Sequence, residues 1–202
     1  MWTMPPEWRP HSATWMCFPT GAYDTAGVSD DDVFDAWSIV ANTISEHEPV
    51  HMLCHPQRMA IAQKKLASDV VMHAFEIDDA WMRDSGPTFV TGEHGLGGVD
   101  WMFNGWGDHT AFDWSQDAKV ASHIIELTGA ERLQSELVNE GGGIHVNGLG
   151  DVLLTRTVQL DPGRNPVANE ETVEEEEERQ PLVMDEEKYY VDELSEEAQD
   201  IV

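Results

Sequence analysis

The sequence predicts an α/β fold with a mixed sheet, closed by an acidic tail. Amphipathic helical stretches alternate with short apolar runs over most of the chain, the signature of layered helices and strands. An Asn147-Gly148 pair sits between two short apolar runs and marks a hairpin, so hairpins accompany the crossover connections. Past residue 166 both patterns give way to glutamate-rich sequence.

Taken in order, "SDDDVFDAWSIVANTISEH" carries Ser29 or an aspartate as N-cap, and Val33, Phe34, Trp37, Val40, Ala41 and Ile44 recur at helical spacing. "PVHMLCH" reads as a strand stopped by Pro56, "PQRMAIAQKKLAS" as a second helix, and "VVMHAFEI" as the strand that follows. "TFVTG" reads as a strand, "EHGLGG" as a turn and "VDWMFNGWG" as the return strand. "DWSQDAKVASHIIELTGA" is a helix closed by Gly129, and "RLQSEL" leads into the Asn147-Gly148 hairpin. The segment 167–202 is expected to be weakly helical or disordered, because its run of glutamates places like charges at i and i+4 with no stripe to bury.

The chain has 39 acidic and 11 basic residues, a net charge of -28. Residues 1–166 hold 24 acidic and 9 basic side chains, and 167–202 hold 15 and 2, so the tail is the denser part. Such a surface repels phosphate backbones and excludes a nucleic-acid binder working through basic contacts. Self-repulsion of this size points to a salt-adapted, cytoplasmic protein; an ordinary acidic enzyme is the alternative reading. No basic and apolar leader opens the sequence and no apolar run approaches a membrane span, so no membrane partner is expected. Cys17 and Cys54 are the only cysteines, too few for a disulfide framework or a four-cysteine zinc site. His51, Cys54 and His55 lie close in sequence, but strand alternation separates Cys54 from both histidines, so no metal site is expected.

Two stretches concentrate chemistry. "IDDAWMRDSGPTFV" delivers carboxylates, Trp81 and Arg83 where a strand meets a loop. Asp84 suits a planar cation, because a guanidinium offers parallel N–H donors to two carboxylate oxygens, and Trp81 can cover its flat face. A structural salt bridge between Arg83 and a neighbouring aspartate is the competing reading. "NEGGGIHVNG" joins Glu140 to three glycines that permit close backbone approach. It lacks the lysine and spacing of a phosphate loop.

The blocks "MPPEWRPHSATWMCFP", "DDAWMRDSGPTFV", "FNGWG" and "EGGGIHVNGLGDVLLTRTVQLDPGRNP" occur together and in order. In this they resemble the agmatine deiminase family, also called the Porphyromonas-type peptidyl-arginine deiminases. The resemblance spans residues 1–166 and implies a partial pentein-type α/β propeller of ββαβ modules, followed by the acidic tail at 167–202. It implies hydrolysis of a guanidino group, agmatine to N-carbamoylputrescine and ammonia in putrescine biosynthesis, with peptidyl-arginine as the alternative substrate and no cofactor or metal. Asp84 would grip the guanidinium, Glu140 would hold the catalytic histidine in its working tautomer, and Trp81 and Trp106 would wall the site. The partner expected is therefore a small agmatine-like guanidino compound; the sequence is silent on oligomeric state.

The family places its catalytic histidine in a later Gly-His-x-Asp segment and its nucleophilic cysteine near the end of a longer chain. Neither is recognisable in these 202 residues. "GGGIHV" has Val146 where a cysteine loop would carry its nucleophile, and His145 is not read as catalytic. The chain is therefore expected to be truncated and inactive alone. A non-catalytic module that binds arginine-like cations is the second reading.

Overall fold

The computed structural model describes residues 1–21, 27–108, 113–166 and 188–190. Its strands in chain order are β1 (Trp2–Thr3), β2 (Thr14–Cys17), β3 (Val50–Cys54), β4 (Val71–Ala74), β5 (Thr88–Gly92), β6 (Gly95–Met102), β7 (Glu131–Val138), β8 (Ile144–Val146), β9 (Val152–Leu154) and β10 (Lys188–Tyr190). The helices are α1 (Asp30–Ser45), α2 (Met59–Lys65), the single turns α3 (Met82–Ser85) and α4 (Gly105–Asp108), α5 (Val120–Thr128) and α6 (Arg156–Gln159). They divide into two compact units.

One unit comprises Pro10–Met82 and Trp114–Asp117. Its sheet has the order β2-β3-β4 and is parallel throughout, with Met16 beside Met52 and Met52 beside Met72. Parallel neighbours need crossovers, and α1 and α2 supply them. Helix α1 starts where Ser29 and Asp32 bond reciprocally in a capping box, with Asp30, Asp31 and Asp32 in the first turn favouring the positive helix end. It buries Val33, Phe34, Ser38 and Ala41. Val40, expected on the buried stripe, is 50% exposed, because Ser38 takes the inward position two residues earlier. Phe18, Phe34, Ala41, Met52, Cys54 and Ala62 form this unit's core. Strand β2 was not anticipated from the sequence; it is identifiable by its pairing with β3.

The other unit comprises Met1–Arg9, Arg83–Asp113 and the chain from Ala118 onward. One of its sheets runs β1-β5-β6-β7, antiparallel except for the β6-β7 pair. The turn expected across "EHGLGG" is confined to its start, and Gly95 to Gly98 belong to β6. Gly97 and Gly98 face opposite sides of that strand. A Cβ at Gly97 would lie 3.1 Å from the Trp2 ring, and one at Gly98 would lie 2.6 Å from Ile125 of α5. These glycines admit large neighbours on both faces. Helix α5 ends at Gly129, which takes the left-handed conformation at φ 66° and closes the helix as expected.

Strand β6 ends at Met102, short of the "VDWMFNGWG" expectation, because Gly105, Trp106 and Gly107 all have positive φ and turn the chain. The Asn147-Gly148 hairpin is present, with β8 antiparallel to β9 and Gly148 at φ 72° seated against Pro6. Met4 and Ile144 pack against both the Trp2-Val90-Val99-Trp101 cluster and the Val146-Val152-Leu154 cluster, joining the two sheets of this unit. Strand β10 pairs in parallel with β9. The rest of the tail expectation for 167–202 lies outside the described residues.

Candidate functional site

The aspartates that open the charged stretch serve the backbone. Asp78 Oδ2 accepts from the amides of Gln116 and Asp117 at 2.7 and 3.2 Å. Asp117 returns the contact: its Oδ1 accepts from the Asp78 amide at 2.8 Å and its Oδ2 from the Asp79 amide at 3.1 Å. This reciprocal clasp ties residues 78–79 to residues 116–117. Burial pushes the Asp117 carboxyl up to about 7; the amides pull it back, and the neighbouring charges of Asp78 and Asp79 add to the rise. Asp79 accepts from the Trp81 indole at 2.8 Å, and Trp81, 39% exposed, meets the edge of Trp37 at 6.4 Å. Trp81 thus belongs to the unit that holds the clasp.

Asp84 and Glu140 meet in the other unit, where a glycine run brings their backbones together. A Cβ on Gly141 would stand 2.6 Å from the Arg83 carbonyl oxygen, and one on Gly142 would stand 3.1 Å from Asp84 Oδ1. Side chains are excluded there by the chain itself, so the three glycines answer a packing demand. Burial, then the charge of Glu140, raise the Asp84 carboxyl above its ordinary range. A hydrogen bond from the Trp106 side chain and the guanidinium groups of Arg83 and Arg164 oppose that rise.

Trp106 reaches Asp84 from strained backbone. It is the one non-glycine residue with positive φ among those described, at φ 59° and ψ 43°. Asn104 braces the turn, accepting from the Gly107 amide at 2.9 Å and donating to the Gly163 carbonyl at 3.0 Å. Phe103 meets the Trp106 ring edge-on at 5.2 Å.

The competing reading paired Arg83 with a neighbouring aspartate; its ion pair is instead with Glu7, at 2.6 Å. Glu140, 3% exposed, instead takes Arg164, whose Nε donates to Oε1 at 2.8 Å. The residues on either side of Arg164 hold the same strand end. Asn165 accepts from the Val138 amide at 2.9 Å and donates to the Val138 carbonyl at 2.9 Å, while Gln159 donates to Asn139 Oδ1 at 2.7 Å. Residues 138, 139 and 140 are thus each gripped by a side chain from 159–165. Sequence reasoning missed these partners, along with Asn104. The available signal was that a buried glutamate needs a cation, and Arg164 stands in the quoted "DPGRNP" turn.

Neither cysteine is placed as a nucleophile. Cys17 is 1% exposed and Cys54 is fully buried. Burial drives the Cys17 thiol well above its ordinary value, with Asp117 and Asp79 adding to it, and pushes Cys54 up to about 11. His51 faces away from the Cys54 core and bonds His73 at 2.9 Å beneath the Trp15 ring. His145 is exposed on β8. Among the described residues no group of three or more His, Cys, Asp or Glu could hold a metal ion, and no helix is long and apolar enough to cross a membrane.

The family model described as Porphyromonas-type peptidyl-arginine deiminase matches residues 3–183. The chain belongs to this family. The match continues past residue 166, where the sequence blocks end. A Streptomyces coelicolor relative, provisionally named an agmatine deiminase, is 50% identical over 180 residues, covering 86% of this chain and 52% of its own length. The agmatine deiminase of Stutzerimonas stutzeri is 39% identical over 178 residues, with 85% and 48% covered. Among solved structures, the agmatine deiminase of Enterococcus faecalis superposes with a TM-score of 0.85 at 32% identity, over 94% of this chain and 53% of that one. The mixed α/β architecture is therefore the pentein-type fold of the agmatine deiminases. The chain spans about half the length of the relatives it matches.

Proposed function

We propose that this chain supplies the cation-gripping part of a guanidino-group hydrolase that converts agmatine to N-carbamoylputrescine and ammonia. The observation that carries the reading is the seating of the glycine run that follows Glu140 against Asp84, where a Cβ at Gly142 would lie 3.1 Å from Asp84 Oδ1, with Trp106 donating to Asp84. In its ionised form Asp84 offers two oxygens to the paired N–H donors of a guanidinium. Trp106 lies beside that carboxylate as a wall. Glu140, rigidly held, orients the histidine that protonates departing ammonia. A cysteine thiolate attacks the guanidinium carbon, and water then cleaves the thiouronium intermediate. The gripping acid keeps that carbon in line for attack.

The burial of Cys17 and Cys54 favours a second statement about these 202 residues: they bind the cation without turning it over. Calorimetry of the purified chain at molar salt, with agmatine as ligand, tests the reading together with an ammonia assay. Saturable binding that disappears in Asp84→Ala, with no ammonia released, is the expected result. Absence of binding at every pH sinks the cation site, and ammonia release sinks the assignment of both cysteines as structural. A peptide bearing an internal arginine, run in parallel, separates agmatine from peptidyl-arginine.

A further inference from the structure

Two arginines approach Asp84, and each bonds a different acid. Arg83 is engaged with Glu7 at 2.6 Å. Arg164 is engaged with Glu140 at 2.8 Å, with side chains 12% and 3% exposed. We propose that Arg164 is a positioning residue that sorts the charge of the site, neutralising Glu140 so that Asp84 is the acid left to take a guanidinium-bearing cation. The inference rests on the cation reading of Asp84 given above.

The fold invests several contacts in placing this one side chain. Asp161 Oδ1 accepts from the amides of Gly163 and Arg164 at 2.7 and 3.1 Å, forming the turn that presents Arg164. Asn104 anchors the same turn from the Trp106 side, through the Gly163 carbonyl. The support of Asp84 and the support of Glu140 therefore share one brace.

Two neighbouring carboxylates without a cation between them cannot both stay ionised, and one takes a proton. A half-protonated pair grips an incoming cation weakly. With Arg164 on Glu140 at 2.8 Å, the guanidinium offsets the carboxylate's charge as it is felt at Asp84, so Asp84 gives up its proton more readily. The planar fork of arginine also directs Nε to one carboxylate oxygen, which a flexible ammonium does less well.

The test is a 13C-carboxyl NMR titration of the full chain, with Arg164→Gln, Arg164→Lys, Glu140→Gln and the double Glu140→Gln/Arg164→Gln variant, alongside calorimetry with agmatine. Arg164→Gln should raise the Asp84 midpoint by about one pH unit, Glu140→Gln should lower it, and the double variant should lie near wild type. Arg164→Lys should restore most of the Arg164→Gln change. Agmatine affinity in Arg164→Gln should fall by up to about tenfold at pH below the wild-type Asp84 midpoint and recover above the shifted one. A purely structural role would weaken binding equally at every pH and leave the Asp84 midpoint in place; that outcome overturns the proposal. Should Arg164→Gln fail to fold, Glu140→Gln and the double variant decide it by the same midpoint. If the midpoints move as expected while wild type binds no agmatine, charge sorting stands and the cation reading falls.

Discussion

Trp106 hands a hydrogen bond to Asp84 while its own backbone sits at φ 59°, a conformation that costs a bulky residue free energy unless its surroundings impose it. Glycines on both sides and the Asn104 brace impose it here. Replacement by glycine would relax the backbone yet remove the donor, and replacement by phenylalanine would keep ring and strain but lose the N–H.

Trp106→Phe is therefore the cleaner probe. It should move the Asp84 midpoint further up and weaken agmatine binding by about ten- to a hundredfold, the scale of one lost hydrogen bond to a charged group, roughly 1.5–3 kcal/mol. Calorimetry across pH checks this. Because burial and Glu140 already raise Asp84, and binding needs its anion, affinity should climb with pH through a window above the ordinary carboxylate range. Affinity independent of pH there would contradict the assignment.

Gly141→Ala and Gly142→Ala should separate stability from binding. The first drives a Cβ to 2.6 Å from the Arg83 carbonyl oxygen, a backbone atom that cannot swing away, and should lower stability by about 1–3 kcal/mol. The second presses on Asp84 Oδ1 at 3.1 Å, a side-chain atom able to move, and should cost more in agmatine affinity than in Tm. Thermal melts paired with calorimetry distinguish the two.

Asp117 should make folding pH-dependent. Its folded pKa of about 7 lies above the ordinary 3.8, so the folded state binds the proton more tightly than the unfolded one. Its contribution to stability is complete below about pH 4 and is lost as pH rises towards about 7. Asp117→Asn keeps an acceptor for the Asp78 and Asp79 amides and removes the ionisation. Urea unfolding of the variant should show a shallower decline over that range, by no more than a few kcal/mol in all.

Cys17 and Cys54 should resist thiol reagents in the folded protein and react once denatured, since burial disfavours both thiolates. A chromogenic disulfide reagent, applied with and without guanidinium chloride, gives the count directly. Prompt labelling of Cys17 in the native state would reopen its candidacy as a nucleophile.

Features governed by neighbours in sequence were legible before any coordinates. The helix start at Ser29, one of the caps the sequence offered, the Gly129 stop and the Asn147-Gly148 hairpin each depend on residues a few positions apart, and each stands in the structure where expected. Glycine misled where its cause was distant: Gly97 and Gly98 read as a turn because the residues that require them, Trp2 and Ile125, are far away along the chain. The stretch around Asp78 and Asp79 read as binding chemistry because periodicity cannot tell a carboxylate facing a ligand from one capping backbone amides. The Asp78 carboxylate takes the amides of Gln116 and Asp117, and the Asp79 carboxylate takes the Ala80 amide and the Trp81 indole.

By itself the sequence determined the α/β class, the acidic surface and the four motif blocks that mark the family, since these follow from composition, local spacing and residue order. Tertiary structure alone decided that Arg164 pairs with Glu140, that Arg83 turns to Glu7, and that Trp106 accepts a left-handed backbone to reach Asp84. The reason is electrostatic as much as steric: which cation satisfies a buried acid depends on distances through space, and no periodicity along the chain encodes them.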